Sequence, residues 1–270
     1  MCFFGGYGAR LIFHYLALMD RWTKEQTIVA LYYYCIIPFN KATSTSPTIA
    51  KISKLMGRSH NSLKMKIGNF GSLDPELRKR GIVGLGNTSK LDEQVWDEYN
   101  LNWGKLANDA EDILAKYKEQ PLEESAEFDR SDLPEGKERI AFIKARINQS
   151  FFRKTILASY ENRCAVTGLP IKELLVASHI VPWAKDEQNR LNPTNGICLN
   201  ALHDRAFDKG LMTITPDYKI KISKYVLDFE ENKSVMDSLL SFDNKGMQMP
   251  SKFYPDKEFL EYHNNTVFVK

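Results

Sequence analysis

The sequence predicts an α+β protein in two parts: a mainly helical, helix-turn-helix-like N-terminal domain, and a C-terminal domain in which two short strands lead into a helix. Three observations predict it. Apolar residues recur at three- and four-residue spacing between Trp22 and Lys118, the period of helices buried on one face. Residues 119–138 then hold eight acidic residues against Arg130 and Lys137, with Pro121, Pro134 and Gly136, and read as a linker or surface connection. Beyond them, two apolar runs of strand length, at 174–177 and 197–199, precede a helical stretch at 201–208. The boundaries expected are an N-terminal extension at 1–18, the helical domain at 19–118, the acidic linker at 119–138 and the second domain at 139–270.

In chain order, residues 1–18 are apolar but interrupted by Arg10, His14 and three glycines. No basic segment precedes the apolar part and no small-x-small site follows it, so neither a signal peptide nor a membrane span is expected. They read as an upstream extension or a packing arm. Thr23 with Gln26 three residues on makes a capping box, and a helix is expected from there to Pro38. Ser46-Pro47 opens a second helix with Ile49, Ile52, Leu55 and Met56 at helical spacing, closed by Gly57. Ser59 or Asn61 can cap a third. Helix, glycine turn and capped basic helix is a helix-turn-helix layout. That third helix is expected to point Arg58, His60, Asn61, Lys64 and Lys66 outward, the Arg and Asn suited to base edges and the lysines to phosphates. The plainer reading is a packed bundle with solvated lysines. Trp96 and Trp103 read as core. Residues 140–162 read as a long helix, 211–223 as a β-hairpin around Pro216-Asp217, and the stretch before Tyr262-His263 as a closing helix with a structural His263.

The net charge of +3 over 270 residues does not by itself argue for a nucleic acid partner, but its distribution is uneven. From Lys41 to Arg80 nine basic residues stand against Asp74 and Glu76, as on a phosphate-facing surface. The four cysteines, Cys2, Cys35, Cys164 and Cys198, form no C-x-x-C pair, which excludes a zinc ribbon and a disulfide scaffold and fits a reduced, cytoplasmic setting. Cys164 and Cys198 read as small core residues.

The chemistry concentrates between Cys164 and Leu211. His179 ends the first strand, Asn195-Gly196 opens the second, and His203, Asp204 and Asp208 fall on the helix that follows. A strand His as base, an Asn to hold its tautomer, and a helix supplying ligands is the order one-metal phosphodiester hydrolysis needs. Taken singly, each residue has a structural explanation: a strand-end His is more often a satisfied core residue, and L-H-D-R-A-F-D can be a solvated helix face.

As one string, S-H-I-V-P-W followed by N-G-I-C-L-N-A-L-H-D-R-A-F-D resembles the HNH endonuclease family, with its ββα-metal motif, and within it the bacterial HNH restriction endonucleases. The resemblance covers the second half, from Arg146 to His263. It implies His179 as general base and Asn195 as its orienting residue. For the metal, the family's ligand offsets of nine and thirteen residues after the Asn fall on Asp204 and Asp208, with His203 one residue early. Either the two aspartates bind the ion or a small bulge lets His203 join Asp208, and the second is preferred. Ser178 stands where relatives often place another ligand, so water is expected to complete the shell of one divalent ion per site, Mg2+ or Mn2+. Arg190 is expected to contact a backbone phosphate. The resemblance implies a metal-dependent DNA endonuclease acting on double-stranded DNA as a homodimer and leaving 5′-phosphate and 3′-hydroxyl ends. It is read as a restriction enzyme, with dependence on modified bases left open. The alternatives are a mobile-element nicking enzyme and a DNA-binding regulator with a decayed HNH fold.

Overall fold

The computed structural model describes residues 21–82, 86–127, 133–136 and 138–270, so the extension at 1–18 lies outside the described residues. Helix α1 (Lys24–Ile36) starts at the expected capping box: Gln26 N donates to Thr23 Oγ1 at 3.2 Å and Thr23 N to Gln26 Oε1 at 3.3 Å. The extended Ile37 and then Pro38, which has no N–H to donate, end it. Because α1 is apolar almost all round, it becomes the axis of the helical core, buried from Thr27 to Tyr32 and again at Tyr34 and Cys35.

Around it pack α2 (Pro47–Leu55), α3 (His60–Leu73), the short α4 (Pro75–Lys79), α5 (Lys90–Tyr99) and α6 (Trp103–Lys118), with both tryptophans buried. Gly57, at φ +66°, makes the turn between α2 and α3, and Ser59 caps α3 through Ser62 N at 3.2 Å.

Two helices thus meet at a glycine turn, but two of the residues expected to point outward do not. Lys66 is buried, with its ammonium 2.6 Å from Asp92 Oδ1 and over the Trp22 ring at 4.8 Å. Asp92 is fully buried and needs that cation; its other oxygen accepts from Asn69 Nδ2 at 3.2 Å and from Ser89 N at 3.1 Å. Arg58 is also turned inward, donating to Gln26 Oε1 from Nε at 3.1 Å and from its terminal nitrogen at 2.8 Å, to the Arg21 carbonyl, and covering Trp22. His60, Asn61 and Lys64 are exposed. Lys66→Met leaves Asp92 charged without its cation and should cost about 3–5 kcal/mol in thermal unfolding. Lys64→Met, two residues earlier on the exposed side of the same helix, should cost within about 0.5 kcal/mol; equal losses would mean that the ion pair is not what holds α3 to α5.

The short α7 (Leu122–Ser125) lies inside the expected linker and packs on α6, with Ser125 and Ala126 buried. The 22-residue α8 (Glu138–Ser159) then joins two cores. Its Ile143, Ile147 and Phe151 belong to the helical core, while Phe152, Ile156 and Leu157 belong to a second core. The cores thus part inside α8, not at residue 138. The chain also returns across the division: Lys252, itself buried, donates to the Ile37 carbonyl at 2.9 Å and to the Tyr34 carbonyl, and Phe253 packs edge-on against Trp103 at 5.5 Å.

The second core holds two antiparallel pairs. Strands β1 (Leu175–His179) and β2 (Gly196–Asn200) place Ala177 against Cys198 and His179 against Gly196, and α9 (Ala201–Asp208) follows β2 directly. Strands β3 (Met212–Ile214) and β4 (Ile220–Ile222) form the expected hairpin. Two short surface helices, α10 (Lys224–Leu227) and α11 (Lys233–Ser238), precede the closing α12 (Lys257–Thr266). On α12, His263 lies parallel to the Phe207 ring at 3.7 Å, with Nδ1 2.8 Å from Thr213 Oγ1 and Nε2 3.2 Å from the Phe207 carbonyl. Burial pulls its pKa down to about 4, so it serves as a neutral packing residue. Among the described residues no helix is long and apolar enough to cross a membrane.

Candidate active site

His179 is placed from below, from the side and from its far nitrogen. Beneath it the Phe152 ring of α8 lies parallel at 4.1 Å, and Trp183 meets its edge at 5.5 Å. The approach of α8 requires Gly196 opposite His179: a Cβ there would fall 2.4 Å from Ile156 Cδ1 and 2.9 Å from Phe152 Cζ. The Nε2 of His179 lies 2.9 Å from the Arg190 carbonyl. A carbonyl only accepts, so Nε2 carries the proton and, in the neutral ring, Nδ1 keeps a lone pair. Burial pulls the His179 pKa below its ordinary value, against the Arg190 carbonyl and the Asp204 charge, so the neutral ring prevails near pH 7.

Asn195 is buried and reaches no ring nitrogen. Its Oδ1 accepts from Val181 N at 2.8 Å, and its Nδ2 donates to the Val181 carbonyl at 3.3 Å and the Asn189 carbonyl at 3.2 Å. Its own carbonyl accepts from Ile180 N at 3.0 Å. These bonds tie the chain just after His179 to the loop just before Arg190, whose carbonyl holds the ring.

Helix α9 is capped by Asn200, which accepts from His203 N at 2.9 Å. Asp204 and Asp208, four residues apart, share one helix face. Neither is in an ion pair among the described residues. Both carboxyls are pushed above the usual carboxylate range, first by burial, and for Asp204 also by the Asp208 charge, while Ser178, Arg205 and His179 act in the opposite direction. Ser178 Oγ is itself buried without a hydrogen bond of acceptable geometry, though it faces Asp204 closely enough to lower its pKa.

His203 is directed away from this face. It is buried, with Nδ1 3.0 Å from Asn200 Oδ1, Nε2 2.8 Å from the Ser238 carbonyl, and its ring edge-on to Phe242 at 5.6 Å. Burial pushes the Cys164 thiol up, but the neighbouring His203 and Thr167 outweigh it and bring that thiol down to about 7. The preferred pairing of His203 with Asp208 is therefore not the one α9 brings together. One residue on a helix is a turn of about 100°, and both ring nitrogens are already engaged.

Asp204 and Asp208 fit a hard divalent cation: two oxygen donors with no protein cation of their own, beside an unpartnered Ser178 hydroxyl. Among the described residues no group of three or more His, Cys, Asp or Glu side chains is gathered for a metal, so the remaining ligands would be water or substrate oxygen. The Arg190 side chain folds back on its own loop, donating from Nε to the Trp183 carbonyl at 2.8 Å and lying over the indole at 5.1 Å. What it contributes to the site is its carbonyl, a role that no side-chain pattern in the sequence signals. Phe152 was equally unsignalled, except that the glycine after Asn195 implies something pressed against it. In the helical domain, His60 and Asn61 line a shallow concavity of about 850 Å³ with Lys51, Lys54 and Arg58, with no acidic residue in its lining.

Residues 164–215, which run from the turn before β1 to the end of β3, match the family model described as HNH endonuclease. No curated protein matches the chain. This segment is thus similar to an HNH endonuclease domain, which points to a nuclease, a hydrolase acting on DNA, of a kind that generally uses a divalent metal.

Proposed function

We propose that this protein is a restriction endonuclease that hydrolyses DNA phosphodiesters with one Mg2+ or Mn2+ ion per site. The observation that carries the reading is the His179 ring, held through Nε2 by the Arg190 carbonyl on a Phe152 platform, beside the two unpaired carboxylates of α9. His179 Nδ1 takes a proton from the attacking water, and the nearby Asp204 charge steadies the imidazolium that results. Asn195 keeps the His179 and Arg190 segments in register through that step. Asp204 and Asp208 hold the cation, which when bound offsets the charge gathering on the phosphate and the leaving 3′ oxygen. A 5′-phosphate and a 3′-hydroxyl follow. The exposed His60, Asn61 and Lys64 belong to the DNA-facing side of the helical domain. One site makes one cut, so cleavage of both strands calls for two copies of the chain. The buried free thiols suit a reducing cytoplasm.

Plasmid DNA, unmodified and 5-methylcytosine-bearing, incubated with Mg2+ or Mn2+ and with EDTA, tests the reading. Metal-dependent fragments with ligatable 5′-phosphates are expected, and restriction to one substrate would give the modification rule. Tight duplex binding with no cutting under either ion would overturn it in favour of a DNA-binding regulator.

A further inference from the structure

A cavity of about 330 Å³ opens in the helical domain between α1, α2, α6 and α8, away from the His179 site. Its buried end is made by Tyr32 and Glu111, 2 % and 6 % exposed, with the Tyr32 hydroxyl donating to Glu111 Oε1 at 2.6 Å. The other carboxyl oxygen, Oε2, accepts no hydrogen bond among the described residues. Apolar walls come from Ile36, Pro47, Ile52 and Leu114, with the half-buried Tyr33 ring beside them. Three lysines and Glu127 also line the cavity, and none of the lysines forms an ion pair with Glu111: Lys118 donates to the Ser125 carbonyl at 2.8 Å, Lys154 pairs with Glu127 at 3.2 Å, and Lys51 is exposed.

Glu111 thus lines the cavity with one carboxyl oxygen held by Tyr32, and the Lys154 and Lys118 charges act on it from a distance without pairing with it. The arrangement selects a ligand with three parts: an N–H-bearing edge for Glu111, a flat body for the apolar walls and Tyr33, and a negative group for the lysines. A nucleotide has all three. Within duplex DNA its base edge is hidden by pairing, so the nucleotide would enter only when swung out of the stack. We propose that this cavity binds a single extrahelical nucleotide with an amino-bearing base, such as cytosine or adenine, with Glu111 reading the amino-bearing edge and Lys51, Lys118 and Lys154 facing the backbone phosphates; it rests on the nuclease reading only in taking DNA as the ligand. A carboxyl oxygen accepts from an exocyclic amino group, which cytosine, adenine and guanine carry and thymine does not. The Tyr32 ring stacks on Phe151 at 5.5 Å, and the next residue of α8, Phe152, is the platform under His179, so the cavity and the proposed base are supported by adjacent residues of one helix.

The test uses the full chain carrying His179→Ala, so that binding is read without cutting. Fluorescence anisotropy compares duplexes with one bulged cytosine, adenine, thymine or abasic nucleotide. Bulged cytosine or adenine should bind roughly tenfold or more tighter than thymine or the abasic site, the discrimination expected of one well-made base-edge contact. Glu111→Gln in the same background should bring the four within about twofold. Tyr33→Ala, on the half-buried wall, serves if Glu111→Gln proves poorly folded: losing that wall should narrow the advantage of bulged cytosine and adenine over the abasic site. Equal binding of all four duplexes, or a preference unchanged in a folded Glu111→Gln or Tyr33→Ala variant, overturns the proposal. Cleavage of plasmid by the wild-type chain is scored separately: cutting without bulge preference removes the cavity proposal alone, and bulge preference without cutting removes the nuclease reading alone.

Discussion

His179→Ala should lower metal-dependent plasmid cleavage by roughly 10²- to 10⁴-fold, the usual contribution of a positioned general base. Three contacts, with Phe152, Trp183 and the Arg190 carbonyl, hold the ring and leave Nδ1 as the one nitrogen free to accept a proton. The pH profile of the wild-type protein gives a second readout. A base works when unprotonated, so the rate should rise with pH through the His179 pKa and level off above it. Burial holds that pKa below the ordinary value of about 6.5, so the acid limb should lie below that pH. Undiminished cleavage by a folded His179→Ala protein would remove His179 from the chemistry, and an acid limb at or above pH 7 would mean that burial does not set its pKa.

Asp204→Asn and Asp208→Asn should each abolish metal-dependent cleavage while slightly raising thermal stability without metal. The stabilisation comes from removing one of two like charges on neighbouring turns, worth about 0.2–0.5 kcal/mol. Stability gained with function lost is the signature of carboxylates held together for a ligand. Added Mg2+ or Mn2+ should raise the wild-type Tm, as any ligand specific to the folded state does, and leave the Tm of either variant unchanged. His203→Ala should behave oppositely. It loses bonds to Asn200 and Ser238 and so lowers the Tm, but the metal-induced increment should survive. An increment lost in His203→Ala and kept in Asp204→Asn would restore His203 as the ligand. Because both carboxyls titrate above the usual range, metal binding should weaken as pH falls toward that raised range, when protons compete with the ion.

What could be read before the fold was known was whatever depends on near neighbours. The Thr23–Gln26 capping box, the glycine turn at Gly57, the 212–222 hairpin and the shared face of Asp204 and Asp208 all follow from short spacings. What could not be read depends on residues far apart in the chain. Lys66 looks like any solvated helix lysine until Asp92, 26 positions on, is seen to be buried without another cation. His203 and Asp204 differ by one position in sequence and by a third of a turn in direction, and only the Asn200 and Ser238 contacts fix which way each points. The acidic run at 119–138 marks a change of surface charge, and the cores instead divide within α8, between Phe151 and Phe152.

A 22-residue helix is a rod of about 33 Å, close to one turn of duplex DNA. In this chain α8 has one end clamped in each core, and the Lys252 and Phe253 contacts brace it from outside. Under the proposed function, DNA held by the helical domain would lie a set reach from the bond beneath His179. A nuclease on a flexible linker would spread its breaks along the strand, whereas one fixed to its reader by a rigid helix would cut at a constant distance from it.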